Sequence, residues 1–472
     1  MVFERQGFSR QNAGMHFRFR IAGFKTLPLE EPSIFGELPF IYEGIPKKEF
    51  SMSTFVPFKA YRPTRDKVEK IVSKPYDVLN REEALAECQG NPLSFYHVIK
   101  PEIDFPASHD PYAPEVYRKG KENFDRLVHD GNMVRDTSGH FLIYQLIRNG
   151  HVQTGIAGCC AIEDYFSGVI KTHELTRPDK EEDRKNHIRA SKLNYEPVFF
   201  SYPRVEAIGR LVELVEKEAP EYDITTSDGI GHRVWLVKDG AMNDAITRIF
   251  EEQVPKLYVA DGHHRTAAGA LTGQELVKAR KGTLSDGKPG NYFLAVLFPD
   301  DQLEILDYNR VVKDLNGFSE EEFLERLSKN FIVEQKNAQF RPGAIHTFGM
   351  YLGQKWYQLT AKPGTYDDSP AGQLDVTILT QKVLEPLLNI NDVRTDKRID
   401  FVGGIRGLEE LERRVNNGEM KVAFALHPVS MQQIITIADA GLTMPPKVTW
   451  FEPKLASGLF VYSLDDNYTS HQ

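Results

Sequence analysis

Short apolar segments alternate with amphipathic ones along most of the chain, and this pattern predicts strands mixed with helices. Phe141 to Ile147 and His151 to Ala161 predict a hairpin, because Asn149-Gly150 between them tolerates the backbone of a tight turn. Further strands are predicted at 196–202, 234–237, 257–260, 292–298, 303–306, 346–352 and 356–360. Helices are predicted at 81–88, 114–130, 207–218, 245–254, 319–327 and 374–387. The alternation indicates an α/β fold of the mixed α+β kind.

A chain of 472 residues is too long for one ordinary core, so we expect several lobes. We divide it into an N-terminal extension (1–51), an N-terminal α/β lobe (52–165), a central core (166–310) and a C-terminal α+β lobe (311–472). Arginines punctuate the first segment, which starts poor in acidic residues. We interpret it as a peripheral extension, with a targeting peptide or a misplaced start codon as alternatives.

The amino-acid composition restricts the classes of molecule that the chain is expected to bind. A formal net charge of −9 argues against broad binding to nucleic acid or to an anionic membrane, which both need a cationic face. No apolar run approaches the roughly 20 residues of a membrane-spanning helix. The three cysteines include an adjacent pair, Cys159 and Cys160, which suits a reducing cytoplasm better than a disulfide framework. A homodimer is compatible with the sequence.

The segment with the most chemistry follows a β-prone run at 257–260. Asp261, Gly262, His263, His264 and Arg265 stand where a strand turns into a helix. The N-terminus of a helix favours an anion, and an arginine can grip phosphate oxygens in a fork. Asp261 could accept a proton from a hydroxyl group or hold Mg²⁺. In the alternative interpretation, Asp261 merely caps the helix and both histidines lie on its surface.

A second polar segment spans residues 171–187. Its acids and bases could supply a phosphate clamp and a carboxylate for magnesium or proton transfer; they are Lys171, His173, Glu174, Lys180, Glu181, Asp183, Arg184 and His187. In the alternative interpretation, these charged residues form salt bridges with one another on a solvated helix. His173-Glu174 begins like a zinc-protease helix, but Arg177 stands where the second histidine must be.

Two further segments invite a functional interpretation. Residues 282–288 match most of a phosphate-binding loop, yet Pro289 replaces the required Ser or Thr, so we predict a surface loop. Residues 444–454 combine two lysines and two aromatic residues in a proline-stiffened stretch. That stretch either covers a substrate or forms an aromatic-anchored terminal strand.

From about Met52 onward the chain resembles a large microbial family classed as a domain of unknown function. The matching segments are Lys74 to Leu79, Asn91-Pro92 with His97 to Ile99, Lys171 to Arg184, Ala260 to Arg265, and Met444 to Lys454. The Asp-Gly-His-His-Arg corner is also similar to that of the ParB/sulfiredoxin-like superfamily, and most to its free L-serine kinases, which form O-phosphoserine. Unlike ParB proteins the chain has no evident basic recognition helix, and unlike sulfiredoxins its corner has no cysteine.

The resemblance implies a multi-lobed protein with a strand-turn-helix nucleotide-binding core, and a Mg²⁺-dependent kinase with ATP or ADP as donor and L-serine as first candidate acceptor. It implies that Asp261 and Glu174 are catalytic and hold the metal. We expect phosphate to contact Gly262, His263, His264, Arg265, Thr266, Lys171 and Arg184, and substrate to contact Lys74, Tyr76, Asp77, His173, Lys447 and Thr449. The alternatives are a CTP- or ATP-binding regulatory switch without phosphotransfer and a hydrolase of nucleotides or phosphoesters.

Overall fold

The structure is a computed structural model that describes residues 52–465, so the interpretation of residues 1–51 lies outside it. The strands are β1 Phe55–Val56, β2 Tyr61–Pro63, β3 Met133–Arg135, β4 Leu142–Arg148, β5 His151–Ala161, β6 Ile170–Lys171, β7 Leu193–Asn194, β8 Val198–Tyr202, β9 Tyr222–Thr225, β10 Gly231–Leu236, β11 Leu257–Asp261, β12 Tyr292–Pro299, β13 Glu304–Leu306, β14 Tyr308–Val312, β15 Phe331–Lys336, β16 Thr347–Leu352, β17 Lys355–Ala361, β18 Ile399–Gly403, β19 Val422–Ala425, β20 Trp450–Glu452 and β21 Tyr462–Ser463. The α-helices are α1 Val68–Ile71, α2 Arg81–Glu87, α3 Tyr96–Ile99, α4 Pro114–His129, α5 Ile162–Ser167, α6 Pro178–Ser191, α7 Glu206–Val215, α8 Gly240–Gln253, α9 His263–Ala279, α10 Glu320–Leu327, α11 Asp375–Leu379, α12 Glu409–Asn416 and α13 Met431–Asp439.

A nine-stranded sheet forms the larger half of the fold. Its order is β6-β11-β8-β12-β5-β4-β10-β9, with β1 paired to the end of β5. β12 runs parallel to β8 and β6 runs parallel to β11, whereas the other pairs are antiparallel. The predicted hairpin is confirmed, because β4 and β5 pair from Leu142 opposite Ala157 to Arg148 opposite His151.

Side chains of this sheet alternate between two cores, as a strand period of two requires. On β4, Leu142 and Tyr144 join a core that continues into the second sheet, while Ile143 joins a core covered by α7 and α8. Both faces are buried, so the strands are apolar almost throughout. The corner at the end of β11 is therefore attached to a rigid support.

A six-stranded antiparallel sheet in the order β15-β17-β16-β19-β14-β18 forms the smaller half. Ser319 caps the N-terminus of α10 with the expected capping box. The single helix predicted at 374–387 is wrong in one respect: α11 ends at Leu379 and the chain continues as a π-helical turn over Thr380–Leu384. The hydrophobic spacing that predicted a helix does not distinguish these two helical forms.

The nine-stranded sheet combines strands from both sides of residue 165, where we placed a lobe boundary. β5 pairs with β12 along its last six residues, so that boundary divides the sequence but not the sheet. Residues 52–465 belong to one compact unit.

The C-terminal part of the described region pairs with earlier segments in two small two-stranded sheets. β20 pairs with β13, and β21 pairs with β7. Ser457 and Val461 make isolated bridges to Ser73 and Tyr61 near the start of the described region. None of the helices within residues 52–465 is long and apolar enough to cross a membrane.

Candidate functional site

The predicted strand-turn-helix corner is present in the structure. β11 ends at Asp261, α9 begins at His263, and Gly262 between them has a φ of +89°. Glycine suits this left-handed conformation, and a Cβ atom there would lie only 3.0 Å from Nε of Arg265. None of the side chains of residues 52–465 caps the N-terminus of α9, so the interpretation of Asp261 as a helix cap is wrong. The first amide groups of α9 can therefore bind an anion.

Two cations hold the Asp261 carboxylate. Lys454 Nζ lies 3.0 Å from Oδ1, and Arg265 Nη2 lies 3.0 Å from Oδ2. Burial opposes the charged form, but the attraction of Lys454 and Arg265 is stronger and lowers the pKa of Asp261 to about 2. Asp261 is therefore ionised at neutral pH and is a weak base.

Two buried histidines lie behind the corner. His263 is 6% exposed and His173 is 1% exposed, and their rings meet edge to face with centroids 4.5 Å apart. Both ring nitrogens of His173, and Nε2 of His263, have no hydrogen-bond partner within the described region. Burial lowers the pKa of His173 to about 4 and holds the pKa of His263 well below its usual range. Both rings are neutral at physiological pH, and the interpretation of His263 as a surface residue is wrong.

Glu174 lies beside this histidine pair. Its Oε2 is 3.7 Å from Nδ1 of His263, and 38% of its side chain is exposed. Burial raises the pKa of Glu174, and the charge of Asp261 adds to that effect, against opposing contributions from Lys447 and Lys454. Glu174 therefore binds a proton more readily than Asp261 does, and it is the stronger base of the two when ionised.

The polar segment 171–187 packs against the corner. The amide of Arg177 donates to Nε2 of His264 at 3.0 Å, which leaves Nδ1 of that ring as a donor. Burial lowers the pKa of His264. One face of α6 is buried and includes Asp183, Arg184 and His187. The interpretation of this segment as a solvated helix is therefore wrong for that face and holds only for the opposite one.

A second group of site residues surrounds Glu196. The guanidinium of Arg184 lies 3.9 Å from the ring centre of Tyr76 and pairs with Asp183 at 2.8 Å. Glu196 accepts from the amide of Tyr76 at 3.1 Å and lies 3.8 Å from Arg184. These contacts order the cleft wall next to Arg265, which donates to the carbonyl of Pro197 at 2.8 Å.

A cleft of about 1420 Å³ opens beside the corner. Its walls include Asp77 and Tyr76 from the first lobe, Glu174 and His264 from the site, and Lys447 from the C-terminal segment. Phe401 on β18 and the loop 392–395 before that strand also line it. Sites for one drug-sized ligand are about 300–1,000 Å³, so this cleft has room for more than one small molecule.

Four predicted contact residues have other surroundings in the structure. Lys74 pairs with Glu87 at 2.5 Å, and Thr266 donates to the carbonyl of Gly262 at 3.0 Å within α9. Lys171 lies on β6 opposite Tyr258, and Thr449 is half-buried just before β20. None of these four lines the cleft among the described residues.

Sequence reasoning missed Lys454 and Glu196 as members of the site. Lys454 was visible as a lysine in the aromatic segment 444–454, but the sequence does not place it on Asp261. That segment forms a short strand, Trp450–Glu452, as the strand interpretation expected, and its first residues border the cleft. Its role as a cover over a substrate stays a prediction. The loop prediction for 282–288 is confirmed.

The donor set is compatible with magnesium bound mainly through Glu174. Among residues 52–465 there is no group of three or more His, Cys, Asp or Glu that could hold a metal. Magnesium commonly uses one or two carboxylates together with substrate phosphates, however. Glu174 has a partly exposed carboxylate that no cation pairs with among the described residues, whereas both oxygens of Asp261 already accept from a cation. Bound there, the metal would neutralise phosphate charge and would reduce the basicity of Glu174, so metal ligand and base are alternative roles of this carboxylate.

Fold and site define a mixed α/β protein with acid and base groups at a strand-turn-helix corner beside a large cleft. The chain belongs to the DUF1015 family, described as a protein of unknown function, whose model matches residues 55–377. No curated protein matches it.

Several solved structures are similar to this chain at low identity. A free serine kinase in complex with AMP is 13% identical and gives a TM-score of 0.31, covering 64% of this chain and 91% of the kinase. SbnI with a C-terminal truncation from Staphylococcus aureus is 14% identical with a TM-score of 0.33, covering 66% and 90%. A conserved hypothetical protein from Pyrococcus furiosus is 14% identical with a TM-score of 0.31, covering 66% and 96%. These likenesses are too distant to assign an activity.

Proposed function

We propose that the chain is a phosphotransferase that moves a phosphate group from ATP or ADP to the hydroxyl group of a small metabolite, with free L-serine as the first acceptor to test. One observation carries the proposal: the uncapped N-terminus of α9 opens beside Glu174, at the edge of a cleft large enough for two ligands.

The corner supplies the groups that a transferring phosphate needs. Amides at the start of α9 favour its negative charge, and the N–H of His264 adds a neutral donor. Arg265 and Lys454 keep Asp261 ionised and bring two positive charges to the corner. Positioning and charge neutralisation provide most of the catalysis in phosphoryl transfer, so an arrangement of this kind is sufficient.

Glu174 is the better base in the structure. Its raised pKa matches proton transfer near neutral pH more closely than the pKa of about 2 at Asp261 does. In the proposed step the acceptor hydroxyl gives its proton to Glu174 and its oxygen attacks the terminal phosphorus. The bond from that phosphorus to the bridging oxygen breaks, and the nucleotide leaves with one phosphate fewer. Asp261 orients Arg265 and Lys454 during this step.

Phosphorus NMR tests the proposal directly. The protein is incubated with Mg²⁺ and ATP, and separately with ADP, each with and without L-serine. A new phosphomonoester signal that needs L-serine supports the kinase. Nucleotide consumed equally without L-serine points to the hydrolase, and bound but unchanged nucleotide points to the regulatory switch.

Two variants and one control sharpen the assay. Glu174→Gln removes the base and should reduce turnover about 10²- to 10⁴-fold while nucleotide binding persists. Asp261→Asn should reduce turnover by disordering Lys454 and Arg265. Glu213→Gln, an exposed position on α7, is the matched control. Full turnover in Asp261→Asn and Glu174→Gln would refute the assignment of this site.

A further inference from the structure

Arg310 is a buried cation on the C-terminal side of the cleft. It is 2% exposed, and none of the carboxylates within residues 52–465 pairs with it. Its guanidinium instead donates to the carbonyls of Tyr308 and Lys447, the second at 3.0 Å, and lies 5.4 Å from the ring centre of Phe401. Burial lowers the pKa of Arg310 to about 10, so the side chain stays charged at neutral pH. A buried cation without an anion is costly unless something compensates it.

Lys447 is the residue that Arg310 holds. It has a φ of +58°, a left-handed conformation that few residues other than glycine and asparagine adopt. The guanidinium of Arg310 donates a hydrogen bond to the carbonyl of Lys447, which stabilises this backbone position. Strained backbone conformations of this kind are concentrated at ligand-binding sites.

The Lys447 side chain faces the cleft. Its Nζ lies 5.8 Å from the ring centre of Tyr308, and none of the carboxylates in the described region forms an ion pair with it. Lys447 is nonetheless close enough to Glu174 to oppose the rise in the pKa of that carboxyl group. An uncommitted ammonium group thus lies near the proposed base.

We propose that Lys447 binds an anionic group of the phosphate acceptor and that Arg310 is a positioning residue that holds Lys447 in place. The acceptor therefore carries a hydroxyl group for Glu174 and a carboxylate or phosphate group a few bonds away. The term acceptor rests on the proposed phosphotransfer; the anion subsite itself does not. The subsite lies on the C-terminal part of the chain, and Lys447 lies beyond the residues that the family model matches.

Calorimetric titration tests the subsite without any turnover. The probes are L-serine, sn-glycerol 3-phosphate and L-serinamide, which keeps the hydroxyl and amino groups of serine but lacks its carboxylate. Lys447→Asn removes the charge and tolerates the left-handed backbone, and Lys447→Arg keeps the charge. Lys281→Asn is the matched control, because Lys281 is also an exposed lysine with a positive φ, at the far end of α9.

We expect at least one anionic probe to bind the natural chain about tenfold more tightly than L-serinamide, and to lose about tenfold in Lys447→Asn only. Tighter binding of L-serine identifies a carboxylate, and tighter binding of sn-glycerol 3-phosphate identifies a phosphate. The inference is overturned if L-serinamide binds as tightly as both anionic probes, if Lys447→Asn changes nothing, or if none of the probes binds. Binding lost in Lys447→Asn without phosphotransfer in any assay would sink the proposed function and leave the subsite standing.

A separate set of variants tests the positioning role of Arg310. Arg310→Met should weaken the anionic probes but not L-serinamide, and Arg310→Lys should restore part of the difference. A merely structural role would weaken all three probes alike and overturn the positioning role. Where Arg310→Met fails to fold, the comparison of Lys447→Asn with Lys281→Asn still decides whether the subsite exists.

Discussion

Replacing Asp261 by asparagine measures how strongly the ion pairs of the corner stabilise the fold. The carboxyl group has a pKa lowered from 3.8 to about 2, and its side chain is 26% exposed. A shift of this size corresponds to ~2 kcal/mol, since each pKa unit is worth about 1.4 kcal/mol and solvent screens the exposed quarter. Asparagine keeps the size of the side chain but leaves Lys454 and Arg265 without their anion.

The sign of the pH dependence follows from the direction of the shift. Because the folded chain holds the proton less tightly than the unfolded chain, the stabilisation is fully present above the ordinary aspartate pKa. It is lost as the pH falls through the folded value of about 2. About half of it, ~1 kcal/mol, should remain at pH ~3.

Urea unfolding of the natural chain and of Asp261→Asn at pH ~7 and pH ~3 provides the measurement. We expect a difference in unfolding free energy of ~2 kcal/mol at the higher pH and about half of that at the lower one. Asp244→Asn, at an exposed position on α8, is the control and should show no such difference. Equal differences at both pH values, or none at neutral pH, would refute the ion-pair reasoning.

Three further outcomes are expected. If Glu174 is the base, turnover of the natural chain should fall as the pH decreases through a pKa above the usual 4.5. A pH–rate profile of Glu174→Gln that shows the same fall at low pH would contradict the assignment. Gly262→Ala should lower the free energy of unfolding, measured with urea, by about 1–2 kcal/mol, because alanine is strained at a φ of +89°. An unchanged unfolding midpoint would show that the turn relaxes to accommodate alanine. Gly158→Ala should lower the free energy of unfolding by about 1–3 kcal/mol, because a Cβ atom there would lie 2.5 Å from the ring of Phe55. Gly209→Ala on α7 is the control and should be neutral or stabilising, because a Cβ atom there meets nothing within 4 Å. Equal effects of the two substitutions would refute the packing argument.

The sequence predicted elements that depend on local chemistry. The β4–β5 hairpin follows from its turn residues, and the Ser319 cap follows from the spacing of serine and glutamate. The corner at Asp261 was recognisable because β-prone residues, a glycine and a run of polar residues follow one another without interruption.

Contacts between distant segments were not predictable in the same way. Lys454 meets Asp261 across 193 residues, and neither position carries a pattern that points to the other. The parallel pairing of β12 with β8 likewise depends on how the sheet assembles. The burial of Arg310 was not predictable from its short strand, because its partners Lys447 and Phe401 are distant in sequence. Local propensity determines elements, whereas tertiary packing determines which charges become neighbours.

The return of Lys454 to Asp261 also has a consequence for how the protein is made. A ribosome that adds about 5–20 residues per second completes Asp261 roughly 10–40 s before Lys454 emerges. During that interval the nine-stranded sheet can already pair, since each of its strands precedes residue 300. The nascent chain then holds an aspartate with one of its two cations. The corner gains the second cation only when the segment that carries Lys454 docks, so the site stays incomplete until those residues have been synthesised.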